Sequence, residues 1–205
     1  MRITTGKFKG RNICMPKGIR PTQGKVRKAI FDILGGIEGL SFLELFAGSG
    51  AVGIEAASRG AKQVVFVENN PNVLKVLSSS ISRLLPTVYL AAGQLAQYCV
   101  LPQSVESALG RFNREKKRFD IIFLDPPYHN PSGFYPGKGA SGAPESKKTL
   151  QTIEAYDILA PNGLIVAQHF EKDILPVELG VLSLFRQYKY GTTIISLYKK
   201  HSLAD

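Results

Sequence analysis

The sequence predicts an α/β fold: a mixed, mostly parallel sheet of about seven strands with a hairpin–helix appendage at its N-terminus. Three observations predict it. From residue 41 onward, short apolar runs alternate with helical stretches, the pattern of parallel strands joined by helices. The closing run "LFRQYKYGTTIISLYKK" turns back near Gly191, which adds an antiparallel strand. The first 36 residues are strongly basic and lack the strand–helix alternation.

In chain order, "RITTGKFKGRNICM" alternates loosely around glycine-containing turns and reads as a small hairpin. "RPTQGKVRKAIFDIL" reads as a helix with Thr22 as its cap. Val26, Ala29, Ile30, Ile33 and Leu34 share one face, Lys25 and Lys28 point away, and Gly35 and Gly36 end it. Then come strand "SFLELF", helix "GAVGIEAASRG", strand "QVVFVE" and helix "NPNVLKVLSSSISRLL", the last started by Asn70 and Pro71. "TVYLAAG" reads as the next strand, and "QLAQYCVLPQSVESALGRF" as helix in two pieces broken at Pro102. "FDIIFLD" is strand, "SKKTLQTIEAYDIL" helix and "GLIVAQHF" strand. The organisation expected is an RNA-contacting appendage over residues 1–36 and a main domain over 37–205. A flexible Gly/Pro/Ser-rich insertion at 129–146 interrupts that domain.

Charge is informative by position. Residues 1–28 carry nine cations (Arg2, Lys7, Lys9, Arg11, Lys17, Arg20, Lys25, Arg27 and Lys28) and no acid. Of 26 basic residues, the 17 remaining nearly balance the 16 acids, so almost all of the +10 net charge sits in this front segment. Clustered cations bind polyanions by releasing counterions from phosphates. No apolar stretch approaches the roughly 20 residues of a membrane span, and the first residues have no secretory apolar segment. Cys14, Cys99 and three scattered histidines form no metal-ligand spacing, so no metal is expected. A reducing cytoplasmic setting fits.

Two motifs carry chemistry. "LELFAGSGAVGIEAASRG" places Gly48, Gly50 and Gly53 between a strand and a helix, where glycine lets the chain turn tightly and a ligand approach the backbone. Glu68 ends the next strand, where an acid accepts both hydroxyls of a ribose. Together they indicate a nucleoside-containing cofactor. A nicotinamide dinucleotide would set its pyrophosphate on the helix N-terminus. S-adenosylmethionine has no phosphate, and Glu44 is placed to hold its ammonium. The glycines alone do not choose between them.

The second motif is Asp125-Pro126-Pro127-Tyr128 at the end of the apolar run "FDIIFL". In a doubly wound sheet that edge faces the ligand crevice. The exocyclic amine of a base is a poor nucleophile because its lone pair is delocalised into the ring. A carboxylate accepting one N–H and the Pro126 carbonyl accepting the other free that pair and stabilise the charge that develops. Proline fixes φ and carries no N–H to repel a donor. Tyr128 offers a flat face for an extruded base.

"LELFAGSGAVGIEAASRGA", "FVE" and "DPPY" resemble the class I S-adenosylmethionine-dependent methyltransferases with a Rossmann-like domain that act on exocyclic amines. The front segment, "MRITTGKFKGRNICMP" followed by "RPTQGKVRKAIFDIL", is similar to the N-terminal signature of bacterial small-subunit ribosomal RNA guanine-N2 methyltransferases. The resemblance implies methyl transfer from S-adenosylmethionine to N2 of one guanine in 16S rRNA, within an assembled or assembling small subunit; a monomer is expected. It implies catalysis by Asp125, Pro126, Pro127 and Tyr128. The implied cofactor contacts are Glu44, Phe46, Gly48, Ser49, Gly50, Glu68 and Asn69, with Gly93 and Gln94 near the adenine. Arg20 and Thr22 close over the site from the front. The RNA-facing set is Lys7, Lys9, Arg11, Lys17, Arg20, Lys25, Arg27 and Lys28.

This chain departs from the family pattern at Glu44, where aspartate is frequent, and at Asn70 and Gly93, where acidic or polar residues are usual. The segment after Tyr128 is also long. It is expected to act as a flap, with Phe134, Tyr135 and Lys138 on RNA. Three other readings compete: an amine methyltransferase acting on another RNA or on DNA, a nicotinamide-dependent oxidoreductase, and an RNA-binding protein without activity.

Overall fold

Four apolar runs in the middle of the chain are largely buried on both faces, which requires helices above and below a parallel sheet. The computed structural model describes residues 1–16, 18, 24–85, 97–127 and 144–201. Its elements are α1 (Gly24–Leu34), β1 (Ser41–Leu45), α2 (Ala51–Ser58), β2 (Gln63–Glu68), α3 (Pro71–Leu84), β3 (Tyr98–Pro102) and α4 (Val105–Arg114). They continue with β4 (Phe119–Leu124), α5 (Glu145–Ala155), β5 (Leu159–Phe170), β6 (Glu178–Leu179), β7 (Leu182–Tyr190) and β8 (Thr193–Lys200).

The strands form one sheet in the order β3-β2-β1-β4-β5-β8-β7-β6. β1 runs parallel to both β2 and β4, and β5 parallel to β4, whereas β8 is antiparallel to β5. From β1 the chain moves outward to β2 and β3, then returns to the other side of β1 as β4. The switch point therefore lies between β1 and β4, where α/β sheets bind ligands.

Side-chain alternation divides the core. Phe42, Phe66, Ile121 and Phe123 face the hairpin, α1, α2 and α3, while Leu43, Leu45, Val67 and Leu124 face α4 and α5. Asn70 caps α3 as its sequence indicates: the side chain accepts from the Asn72 and Val73 N–H groups, and Pro71 follows.

Three elements differ from expectation. Residues 98–102, in the stretch expected as the first of two helical pieces, are strand β3, which pairs with β2 from Val64↔Tyr98 to Glu68↔Pro102. Pro102 ends an edge strand, where its missing N–H costs no ladder bond, instead of breaking a helix. The expected strand "TVYLAAG" lies outside the described residues. Helix α1 buries Val26, Arg27, Ile30 and Phe31, a face rotated from the one its apolar spacing suggests. Among the described residues the sheet has eight strands, of which β3 and the two-residue β6 are not among those expected.

The hairpin closes on a single bridge, Arg2↔Asn12, with the Ile13 N–H donating to the Met1 carbonyl at 2.6 Å. Ile3, Phe8 and Ile13 join the apolar cluster of α1 and α2. Glu55 of α2, fully buried, accepts from the Thr4 N–H (2.8 Å), the Thr4 hydroxyl (2.7 Å) and the Thr5 N–H (3.0 Å). Ser58 accepts from the Phe8 N–H and donates to the Thr5 carbonyl. Among the described residues no helix is long and apolar enough to cross a membrane.

Gly6 is the tightest point of this docking. It has φ +81°, and a Cβ there would stand 1.9 Å from the Ser58 carbonyl oxygen. Gly6→Ala should therefore cost about 2 kcal/mol in urea unfolding, from overpacking and a left-handed backbone together. A change below about 0.5 kcal/mol would contradict the close docking of hairpin on α2.

Candidate active site at the carboxyl edge of the sheet

Leu45 pairs with both Val67 and Leu124, so β1, β2 and β4 end level. Adjacent strands lie about 4.8 Å apart, which brings the loop after β1 beside the residues after β4. That loop is tightly wound. Phe46 has φ +57° despite its side chain, and Gly48 and Gly50 have φ +54° and +70°. The Ala47 N–H donates to the Val67 carbonyl at 2.9 Å, tying the loop to β2. Gly50 starts α2, and a Cβ on it would lie 2.4 Å from Leu77 Cδ1. The third glycine has a different reason: a Cβ on Gly53 would meet Phe66 at 2.5 Å and Glu44 Oε2 at 2.6 Å.

Three carboxylates converge on this edge. Glu44 is buried, with Oε2 accepting from the Gly53 N–H at 2.9 Å and Oε1 from the Val52 N–H at 3.3 Å. Its carboxylate thus occupies the first turn of α2. Burial pushes its pKa up to about 8; the two backbone bonds oppose the rise, and the charges of Asp125 and Glu68 add to it. Glu68 ends β2, half-buried. One oxygen accepts from Gly48 N–H at 2.9 Å and the other from the Asn69 and Asn70 N–H groups. The expected ribose acceptor is therefore also the clamp on the first glycine.

Asp125 follows β4 directly and is half-buried, with Pro126 buried and Pro127 exposed. Gln168 of β5, itself buried, donates through Nε2 to Asp125 Oδ2 at 2.8 Å. Nothing in the motifs pointed to Gln168. Its only mark in the sequence is an amide inside the apolar run "GLIVAQHF".

The remaining candidates separate clearly. Ser49 is buried in the loop, while Phe46 is half-buried and Asn69 exposed beside it. Lys7, Lys9 and Arg11 are exposed on the hairpin, and Lys25 and Lys28 on α1, the latter paired with Asp32. Arg27 is not on that surface. Only 2% exposed, it donates to the Arg2 carbonyl at 2.6 Å and faces Glu55 at 3.8 Å, so its charge serves the core. Lys17, Arg20, Thr22, Gly93, Gln94 and Tyr128 lie outside the described residues, as do Phe134, Tyr135 and Lys138 of the expected flap.

Glu44 makes stability depend on pH in a definite direction. An acid whose folded pKa exceeds its unfolded value stabilises fully below about 4.5 and loses that contribution as pH rises through about 8. Glu44→Gln cannot ionise. Between about pH 5 and 8.5 the parent protein should lose at least ~1 kcal/mol more unfolding free energy than the variant. Parallel pH curves would show that Glu44 is not held in a desolvated site.

The family described as "Conserved hypothetical protein 95" matches residues 1–199. "Putative rRNA methyltransferase YlbH" of Bacillus subtilis (strain 168) is 34% identical over 203 residues, 98% of this chain and 99% of that protein. "Ribosomal RNA small subunit methyltransferase D" of Escherichia coli (strain K12) is 26% identical over 208 residues, 100% of this chain and 92% of the relative. Among solved structures, "Putative methyltransferase yhhF from Escherichia coli" superposes with a TM-score of 0.76 at 28% identity, over 98% of this chain and 97% of that one. The similarity runs from the hairpin through β8, and this chain belongs to the Conserved hypothetical protein 95 family, alongside the relatives named rRNA small subunit methyltransferase D.

Proposed function

We propose that this protein transfers a methyl group from S-adenosylmethionine to the exocyclic N2 amine of one guanine in 16S rRNA, acting on the small ribosomal subunit. One observation carries the reading. The N–H groups at the start of α2, where a dinucleotide would seat its pyrophosphate, donate to the carboxylate of Glu44. Glu68 and Asp125 supply negative charge at the same rim. Such an edge repels phosphate and suits a cationic sulfonium with an ammonium tail. This disfavours a nicotinamide dinucleotide and fits the methyl donor.

The glycine turn and Glu68 are the cradle for the adenosine, and Glu44 fixes the helix start behind it. When bound, the cofactor supplies an electrophilic methyl group whose departing sulfur takes up the bonding electron pair. Asp125 accepts one N–H of the guanine amine and the Pro126 carbonyl the other, which turns the nitrogen lone pair toward the methyl group. As the N–C bond forms, positive charge grows on nitrogen and both acceptors stabilise it. The surplus N–H proton then leaves by way of the Asp125 carboxylate to water. Tyr128 supplies the stacking face. The relatives' names support rRNA as substrate, and the exposed Lys7, Lys9 and Arg11 supply cations for its phosphates.

The test is transfer of labelled methyl from S-adenosylmethionine to purified small subunits, free 16S rRNA and duplex DNA, followed by nucleoside analysis. Label should appear as N2-methylguanosine on small subunits; label on DNA or on another base would overturn the substrate assignment. Asp125→Ala should lower turnover at least ~100-fold while cofactor affinity stays within about tenfold, because Asp125 acts on the base. Charge reversal at Lys7, Lys9 and Arg11 should weaken subunit binding and flatten its salt dependence. An unchanged salt slope would remove the hairpin from the RNA-facing surface.

A further inference from the structure

Gln168 lies outside every motif, yet it touches the acid on which the proposed chemistry turns. β4 and β5 pair in parallel through Leu124↔Ala167, so Asp125 and Gln168 are the next residues on each strand. Phe123 and Val166, two positions earlier, both belong to the apolar cluster on the α2 side of the sheet. By strand alternation the Asp125 and Gln168 side chains emerge on that same face, the one holding Glu44. The bond from Nε2 to Oδ2 measures 2.8 Å, and Gln168 is 5% exposed. The neighbouring polar residue serves elsewhere: His169 turns to the other face and meets the Ser196 hydroxyl at 2.7 Å, which also accepts from Gln187.

Resting on the function proposed above, we propose that Gln168 is a positioning residue for methyl transfer: its amide holds one oxygen of Asp125 so that the other is aimed at the substrate amine. A carboxylate at a strand end rotates freely about two bonds unless something fixes it. Preorganised acceptors contribute to catalysis only when their orientation is set before charge develops. The chemical type of the donor matters as much as its place. A lysine or arginine there would orient Asp125 equally well but would neutralise it, and would repel both the sulfonium and the positive charge growing on nitrogen. An amide orients without adding charge. Among the described residues the charges of Asp125 and Glu68 both act on the buried Glu44 of this face, so an amide at Gln168 adds no charge beside these acids.

Two variants test this. Gln168→Leu keeps bulk and removes the donor. Gln168→Glu keeps shape but donates only while protonated, and two carboxyls this close share a proton at low pH and repel at high pH. Methyl transfer to small subunits would be measured from about pH 6 to 9, with cofactor affinity and thermal melting followed in parallel. Gln168→Leu should lower kcat about tenfold or more at every pH, with cofactor Kd within about twofold. Gln168→Glu should approach the parent kcat at the acidic end and fall away as pH rises, a dependence that a packing role would not produce. If Gln168→Leu does not fold, the isosteric Gln168→Glu carries the test alone. A kcat within about twofold of the parent across the range for every folded variant overturns the inference. Asp125→Ala, assayed beside them, separates the two levels. Loss of turnover there with neutral Gln168 variants sinks only the positioning role, whereas retained turnover sinks the proposed chemistry as well.

Discussion

The carboxylate of Glu44 on the first N–H groups of α2 is the constraint on which the site depends. It is an unusual use of a helix start, since those donors are the natural anchor for a phosphate. Filling them from inside the protein requires a glycine at position 53, because a Cβ there would collide with the carboxylate oxygen and with Phe66. The third glycine of the loop is thus explained by the acid behind it and by helix–strand packing, with no ligand needed. Among the described residues, the charges that act on this buried acid are those of Glu68 and Asp125, which reach it from the strands on either side.

A second acid, Glu55, has a comparable role in the middle of the same helix. It gathers the backbone of Thr4 and Thr5, the Arg59 side chain at 3.1 Å and the buried Arg27. Burying a carboxylate and a guanidinium together is costly unless the remaining donors and acceptors are satisfied; here the hairpin backbone satisfies Glu55 and one guanidinium nitrogen, while Arg27 Nε faces Glu55 at 3.8 Å without a hydrogen bond. The hairpin is thereby fixed to the helix whose first turn carries the glycine loop. Glu55 follows Gly50 by five residues, about 7.5 Å along the helix axis. The hairpin's exposed cations are held in a defined position relative to the crevice, unlike those of a loose basic arm.

Much of this was legible in the sequence, and the exceptions have a common cause. Apolar runs identify β1, β2, β4 and β5, and Asn70–Pro71 marks the start of α3, because those signals are local. The glycine loop, Glu68 and Asp125 are legible for the same reason: each sits where a strand visibly ends. Arg27 was not. Its partner Glu55 is 28 positions away, and a lone arginine between lysines looks like surface. The β3 stretch reads as the first of two helical pieces with Pro102 as the break between them, whereas the proline ends an edge strand. Gln168 was hidden because one amide in an apolar strand carries no periodic signature, and its meaning comes only from the strand laid beside it.

The most direct test is a crystal structure of the protein with S-adenosylhomocysteine. The account predicts the ligand in the crevice between the residue 46–50 loop and Asp125, with the ribose hydroxyls on Glu68 and the sulfur facing the Asp125 side. The start of α2 should remain bonded to Glu44. Ligand bound on the α4–α5 side of the sheet, or Glu44 displaced from α2 by a bound anion, would contradict it.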